Sequence, residues 1–279
     1  MRTKSFLGLN AKGFHKVVYH EWGSEDNERV IVCVHGLARN SRDFDEIAKV
    51  LSREYRVVCP DIVGRGASDW LADPQGYAIP QYLSDMTALI ARLGVDQVDW
   101  LGTSMGGIIG MALASLPNNP IRKLILNDIG AFVSKESLQR IGGYLIPAAY
   151  ASLEDAVAGM KVTYPALKHL NEGQWAHLAK CGYRLDGGVW TQHYDPAIGD
   201  MTRAAAVMDV DLWPLWRAIQ CPQLLIWGET SDVLSASTVQ QMQAENPSMT
   251  LYSIPDTPHV PSLMEDEQIK QVSEWLRTH

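Results

Sequence analysis

The sequence predicts an α/β fold, in which a mostly parallel sheet is covered by helices on both faces and interrupted by one inserted helical segment. Two observations predict it. Near-continuous apolar runs recur at residues 30–34, 56–59, 98–101, 121–126, 224–227 and 250–254, separated by stretches of helical periodicity. Strands buried on both faces read this way, whereas half-exposed strands alternate. Between residues 131 and 214 the strand rhythm stops, Trp, Tyr, Met and His become frequent, and the pattern resumes at Leu224. We therefore expect a core domain from 1–130 and 215–279 and a helical lid domain from 131–214.

In chain order, residues 14–21 alternate partially and suit an antiparallel edge strand. Residues 43–53 carry Phe44, Ile47, Ala48 and Leu51 at helical spacing. Residues 80–93 do the same with Leu83, Met86, Leu89, Ile90 and Leu93. Inside the insertion, 153–161, 174–181 and 200–208 read as short helices and no clear apolar strand appears. The last segment, 267–277, puts Ile269, Val272 and Leu276 on one helical face.

Composition narrows the function. The 279 residues are 46% hydrophobic and 20% charged, as in ordinary globular proteins. No stretch approaches the ~18 consecutive apolar residues of a membrane span. The N-terminus lacks the apolar core of a signal peptide, so a cytoplasmic protein is expected. A net charge of −8 and a pI of about 5.5 argue against nucleic acid as a partner. Cys33, Cys59, Cys181 and Cys221 are widely spaced, without a zinc-ligand pattern, and read as free thiols. No metal or cofactor is called for, and a small-molecule partner is expected.

The chemistry centres on Leu101-Gly102-Thr103-Ser104-Met105-Gly106-Gly107, where a strand runs directly into Gly-x-Ser-x-Gly and then an apolar helix at 108–116. A bare Gly-x-Ser-x-Gly is weak evidence; the strand before it and the helix after it make it specific. A serine on so sharp a turn needs glycines at its flanks, because the backbone passes too close to its neighbours for a Cβ. Ser104 is the expected nucleophile.

A serine hydroxyl needs a base to take its proton and an acid to orient that base. Downstream, Asp232 follows the 224–227 strand and His259 follows the 250–254 strand, giving the order Ser, Asp, His. Either residue alone would be an ordinary loop residue; their joint placement after consecutive strands marks His259 as base and Asp232 as acid. Asp128, at the end of the 121–126 strand, is the alternative acid, or else a cap for the lid's first turn. Glu229 is a further rival whose longer side chain would have to fold back.

The oxyanion of the tetrahedral intermediate requires preorganised amides. Met105, after the nucleophile, supplies one, and Leu37, after Val34-His35-Gly36, supplies the other. His35 itself reads as a hydrogen-bonding brace for that loop rather than a catalyst.

On these residues the chain resembles the α/β-hydrolase superfamily, in its lidded branch of esterases, lactonases, carbon–carbon bond hydrolases and cofactor-free haloperoxidase-like enzymes. The resemblance covers nearly the whole length. Asp61-Ile62-Val63-Gly64-Arg65-Gly66-Ala67-Ser68 is similar to the family's Asp-x-x-Gly-x-Gly-x-Ser loop, and no third glycine supports a dinucleotide loop there. The resemblance implies the α/β-hydrolase fold with a mostly parallel eight-stranded sheet. Haloalkane dehalogenases and epoxide hydrolases carry aspartate where Ser104 stands. Carbon–carbon hydrolases carry Gly-His-Trp around the base, against Pro258-His259-Val260 here, and a Gly-rich loop after His-Gly, against Leu37-Ala38-Arg39-Asn40.

The expected activity is hydrolysis of a small carboxylic ester through an acyl-enzyme. A lactone, a thioester or a carbon–carbon bond is the alternative on the same triad. A small-molecule binding protein on a retained scaffold, as in some plant hormone receptors, is the alternative of another class. The aromatic lid suggests apolar pocket walls, with Trp190 and Trp213 as candidates. Arg39, His193 and Arg203 are candidates to meet a substrate carboxylate. Oligomeric state is not indicated.

Overall fold

The computed structural model describes residues 1–205 and 208–279. The first strands are β1 (Arg2–Asn10), β2 (Gly13–Trp22), β3 (Val30–Val34), β4 (Arg56–Pro60), β5 (Val98–Thr103) and β6 (Ile121–Asn127). They alternate with helices α1 (Asp45–Leu51), α2 (Ile79–Arg92) and α3 (Met105–Ala114). The strand expected at the edge is β2, but it lies one strand in: β1, which the sequence does not mark, pairs with it in an antiparallel hairpin and forms the edge. The segment expected as one helix over 43–53 divides into a 3-10 turn at Ser41–Phe44 followed by α1.

The insertion contains β7 (Phe132–Val133), α4 (Lys135–Tyr144), β8 (Ala149–Tyr150), α5 (Leu153–Thr163) and α6 (Glu172–Gly182). It continues with β9 (Tyr183–Asp186), β10 (Val189–Gln192), α7 (Ala197–Ala205) and β11 (Val210–Asp211). The expected helix over 200–208 includes residues 206 and 207, which lie outside the described residues. α8 (Trp213–Ala218) leads back to β12 (Gln223–Gly228), α9 (Ala236–Glu245), β13 (Thr250–Ile254) and α10 (Asp266–Thr278).

Eight strands form one sheet in the order β1-β2-β4-β3-β5-β6-β12-β13, antiparallel at β1–β2 and β2–β4 and parallel elsewhere. Strand β3 illustrates why its sequence is apolar throughout. Val30, Val32 and Val34 face one hydrophobic cluster with Met86 and Leu89 of α2 and Ile109 of α3, whereas Ile31 and Cys33 face another with Ile47 of α1 and Val272 of α10. Successive side chains on a strand point to opposite faces, so a strand covered on both has no polar positions.

The insertion is not purely helical. Its entering and leaving strands, β7 and β11, pair antiparallel, and β8, β10 and β9 form a three-stranded sheet. These strands are short and carry Arg, Asp, Gln and Thr, so they lack the apolar signature that marks the core strands. The insertion also has a small core of its own, where Met160 of α5 meets Trp175 and Leu178 of α6, joined by Met264 from the loop before α10. Helix α6 starts at a capping box between Asn171 and Gln174, which satisfies two otherwise orphaned amides.

Candidate active site

Parallel strands β5, β6 and β12 lie side by side, so the residues that follow them gather at one edge of the sheet. Ser104 follows β5, at the N-terminus of α3, with φ 52° and ψ −114°, a conformation strained for a residue with a side chain. The strain is held by close packing. A Cβ on Gly106 would collide with the Val34 carbonyl, and one on Gly102 with the Gly106 backbone. The Ser104 amide donates to the Asn127 carbonyl at 3.0 Å. Asn127 Nδ2 donates to Thr103 Oγ1 at 3.1 Å and to the Pro261 carbonyl at 3.0 Å, tying the serine turn to the loop that carries His259.

His259 Nε2 lies 3.1 Å from Ser104 Oγ, and Nδ1 lies 2.7 Å from Asp128 Oδ2. Asp128 is fully buried at positive φ. A buried carboxylate requires compensating donors, and Asp128 has them: the Gly228 amide at 2.9 Å on Oδ1, and the Ser231 hydroxyl at 2.6 Å beside His259 on Oδ2.

The structure therefore corrects the expected acid. Asp232 does not reach His259: it is half-exposed and forms an ion pair with Arg140 of α4, with Arg140 Nη2 at 2.9 Å from Oδ1. The reason is topological. β6 is the immediate neighbour of β5, so a carboxylate at its end stands one strand closer to the serine than one after β12. Ser231 takes the inward position in the β12 loop and turns Asp232 outward. Glu229 is exposed and also remains away from His259. Sequence reasoning missed Ser231 and Asn127; the one available signal was Asn127-Asp128 closing an apolar strand next to the serine strand.

Leu37 and Met105 flank the serine turn, and neither amide is engaged among the described turn and side-chain hydrogen bonds. Two buried side chains hold the Leu37 loop. His35 Nδ1 donates to the Gly36 carbonyl at 2.7 Å and Nε2 accepts from the Ile62 amide at 2.9 Å, which fixes a neutral tautomer. Complete burial lowers its pKa to about 4. Arg65, from the Asp-x-x-Gly-x-Gly-x-Ser loop, is also fully buried. Its Nε donates to the Leu37 carbonyl at 2.8 Å, Nη1 reaches the Val63 carbonyl and Tyr82 hydroxyl, and Nη2 touches Met105 Sδ at 3.7 Å.

A cavity of about 90 Å³ opens over Ser104 and His259. Its walls include Leu37, Ala38 and Phe44 from the core and Ile141, Tyr144, Leu145, Tyr164, Leu167 and Leu178 from the insertion. Of the expected pocket residues, Arg39 lines it; Trp190, His193 and Trp213 do not. Trp190 packs on the insertion's own core and Trp213 on the main core. His193 Nδ1 lies 3.2 Å from the Cys181 carbonyl. Arg203 donates to the carbonyls of Gly142 and Leu145 and holds α7 against α4. Their aromatic or basic character serves packing and backbone satisfaction, which composition does not distinguish from ligand contact. Among the described residues, no group of three or more His, Cys, Asp or Glu side chains is placed to hold a metal ion, and no helix is long and apolar enough to cross a membrane.

Comparison with known proteins agrees with this architecture. The family profile of the alpha/beta hydrolase fold matches residues 29–266. A 3-hydroxybutyrate-oligomer hydrolase of Cupriavidus necator is 43% identical over 271 residues, 94% of this chain and 92% of that protein. A 2-(acetamidomethylene)succinate hydrolase of Mesorhizobium japonicum is 24% identical over 236 residues, 82% of this chain and 81% of that one. A solved structure from Rickettsia typhi superposes with a TM-score of 0.94 at 38% identity, covering 100% of both chains. The chain belongs to the α/β-hydrolase fold family.

Proposed function

We propose that the protein hydrolyses a small carboxylic ester through an acyl-enzyme intermediate, with residues 131–214 as a lid over the site. The observation that carries this reading is the unbroken line from Ser104 Oγ to His259 Nε2 and from His259 Nδ1 to Asp128. Ser104 attacks the ester carbonyl while its proton passes to His259 Nε2. Asp128 holds Nδ1–H, fixes the reactive tautomer and stabilises the imidazolium. The Leu37 and Met105 amides receive the carbonyl oxygen as it gains charge. Collapse expels the alcohol, which takes the proton from His259. Water then attacks the acyl-serine with His259 as base, releasing the acid and restoring Ser104.

The cavity's size and apolar walls favour a short acyl group. The relative from Cupriavidus necator, named for 3-hydroxybutyrate oligomers, supports an ester of a short hydroxy acid as the substrate here. The test is release of p-nitrophenol from a chain-length series of p-nitrophenyl esters, together with hydrolysis of the linear 3-hydroxybutyrate dimer, by the parent and Ser104→Ala. Cleavage of short esters and the dimer, abolished in Ser104→Ala, supports the reading. Activity retained by Ser104→Ala, or no cleavage by the parent, overturns it.

A further inference from the structure

Away from Ser104 and His259, the cavity lining is mostly apolar; its polar side chains are His35, Thr103, Ser262, two tyrosines and the Arg39–Asp43 ion pair. Arg39 and Asp43 both line it, and among the described lining residues Arg39 is the only lysine or arginine. The pair uses one side of the guanidinium: Nε meets Asp43 Oδ2 at 2.8 Å and Nη2 meets Oδ1 at 2.6 Å. Asp43 does not use Nη1, on the other edge; the guanidinium also hydrogen-bonds the Tyr164 side chain. The Tyr164 ring lies under the group with its centroid 5.5 Å from Cζ, which holds the guanidinium plane.

Taking two charges out of water costs free energy that pairing alone often does not return. The side chains of Arg39 and Asp43 are 15% and 24% exposed, so this pair is largely desolvated in the wall of a ligand cavity. Burial disfavours the arginine's charge, but the Asp43 carboxylate outweighs it and keeps the guanidinium firmly protonated. The result is a fixed cation with one fork occupied by Asp43 and Nη1 left unused by it, and a guanidinium edge matches a carboxylate in shape and charge. Because Asp43 already neutralises the pair, a free anion gains little; a ligand must also fill the apolar cavity.

We propose that Arg39 is the anchor for a free carboxylate on the substrate, so that the site takes acidic esters in preference to neutral ones. In a linear 3-hydroxybutyrate oligomer that carboxylate belongs to the terminal unit, and anchoring it sets the adjacent ester over Ser104, releasing monomers from the carboxyl end. The word substrate rests on the hydrolase reading above; the recognition of a carboxylate does not.

The experiment separates the two. Binding of the 3-hydroxybutyrate dimer and of its methyl ester is measured by calorimetric titration on Ser104→Ala, which cannot turn them over, and on Ser104→Ala carrying Arg39→Met or Arg39→Lys. The expected result is that Ser104→Ala binds the acid about tenfold more tightly than the methyl ester, the size of one charge-assisted hydrogen bond. Arg39→Met erases that ratio and Arg39→Lys, which keeps the charge without the fork, recovers part of it. Equal affinities in Ser104→Ala, or a ratio unchanged by Arg39→Met, overturn the proposal. If Arg39→Met does not fold, the ratio in Ser104→Ala and its change in Arg39→Lys still decide. Turnover of the same pair by the parent enzyme is read separately: discrimination without cleavage removes the ester reading and leaves the subsite, and cleavage without discrimination does the reverse.

Discussion

The Ser231 hydroxyl donates to Asp128 Oδ2 at 2.6 Å, so the loop after β12 supports the buried acid instead of carrying it. Ser231 Oγ also accepts from the Val233 and Leu234 amides, at 3.2 and 3.1 Å, which fixes its position. The carboxylate one residue further, Asp232, is consequently free to bind α4 through Arg140.

This division of labour sets opposite outcomes for two aspartates. Asp128→Asn leaves the imidazole in the wrong tautomer, and kcat on p-nitrophenyl butyrate should fall about 10,000-fold. Asp232→Asn should stay close to parental activity and lose no more than about 1 kcal/mol of stability, as an exposed ion pair does. Steady-state kinetics on both decides between them. Ser231→Ala should lower kcat about tenfold with little change in KM, since Asp128 loses one of its donors.

Arg65 braces both residues proposed to bind the oxyanion, and among the described residues it has no carboxylate partner. Arg65→Met removes the brace and a buried positive charge beside Leu37 and Met105. We expect kcat/KM to fall about 100-fold, with the affinity for a boronic acid transition-state analogue falling in parallel and Arg65→Lys partly restoring both. Labelling with a fluorophosphonate counts folded sites. Loss of protein with unchanged analogue affinity per site would leave Arg65 a purely structural residue.

Gly106→Ala should disable the serine turn. The added methyl meets the Val34 carbonyl, a backbone atom in the middle of the sheet that cannot move aside. The expected cost is about 3 kcal/mol, measured by chemical denaturation, and catalysis should be lost even in the fraction that folds.

The insertion meets the core at His177 of α6, whose Nε2 is 3.2 Å from Asp45 Oδ2 at the start of α1. The hydrogen bond to Asp45, with help from Cys181, raises the histidine's pKa to about 10 from its ordinary 6.5. A raised folded-state pKa stabilises the protein fully below the unfolded value and loses that contribution as pH climbs through the folded one. The difference in Tm between the parent and His177→Gln should therefore be largest near pH 6 and shrink between about pH 6.5 and pH 10. A difference that grows with pH would exclude this pairing.

The core strands and sheet-covering helices were legible because burial on both faces leaves a one-dimensional trace in β3, β4, β5, β6 and β12. The β1 hairpin was less so: Leu7 and Leu9 are exposed, and its alternation of Lys4, Phe6 and Gly8 is weak. The insertion's strands left no trace, because two- to four-residue ladders with polar side chains are held by hydrogen bonds and not by apolar burial. In the site, Ser104 and His259 stood out because the serine turn demands glycines and the histidine follows a strand.

By itself, the sequence determined the α/β class, the strand-to-helix turn at Ser104, and the supply of a histidine and several acids at strand ends. Those are local properties, written in periodicity and in glycines whose positions admit no Cβ. Which acid meets the histidine depended on lateral strand order, since β6 and not β12 adjoins β5. Which residues between 131 and 214 line the cavity depended on how short helices and ladders fold over the core. Both are relations between residues far apart along the chain, 131 positions for Asp128 and His259. Chain order does not encode such distances; only packing brings Asp128 beside His259 and turns Asp232 towards Arg140.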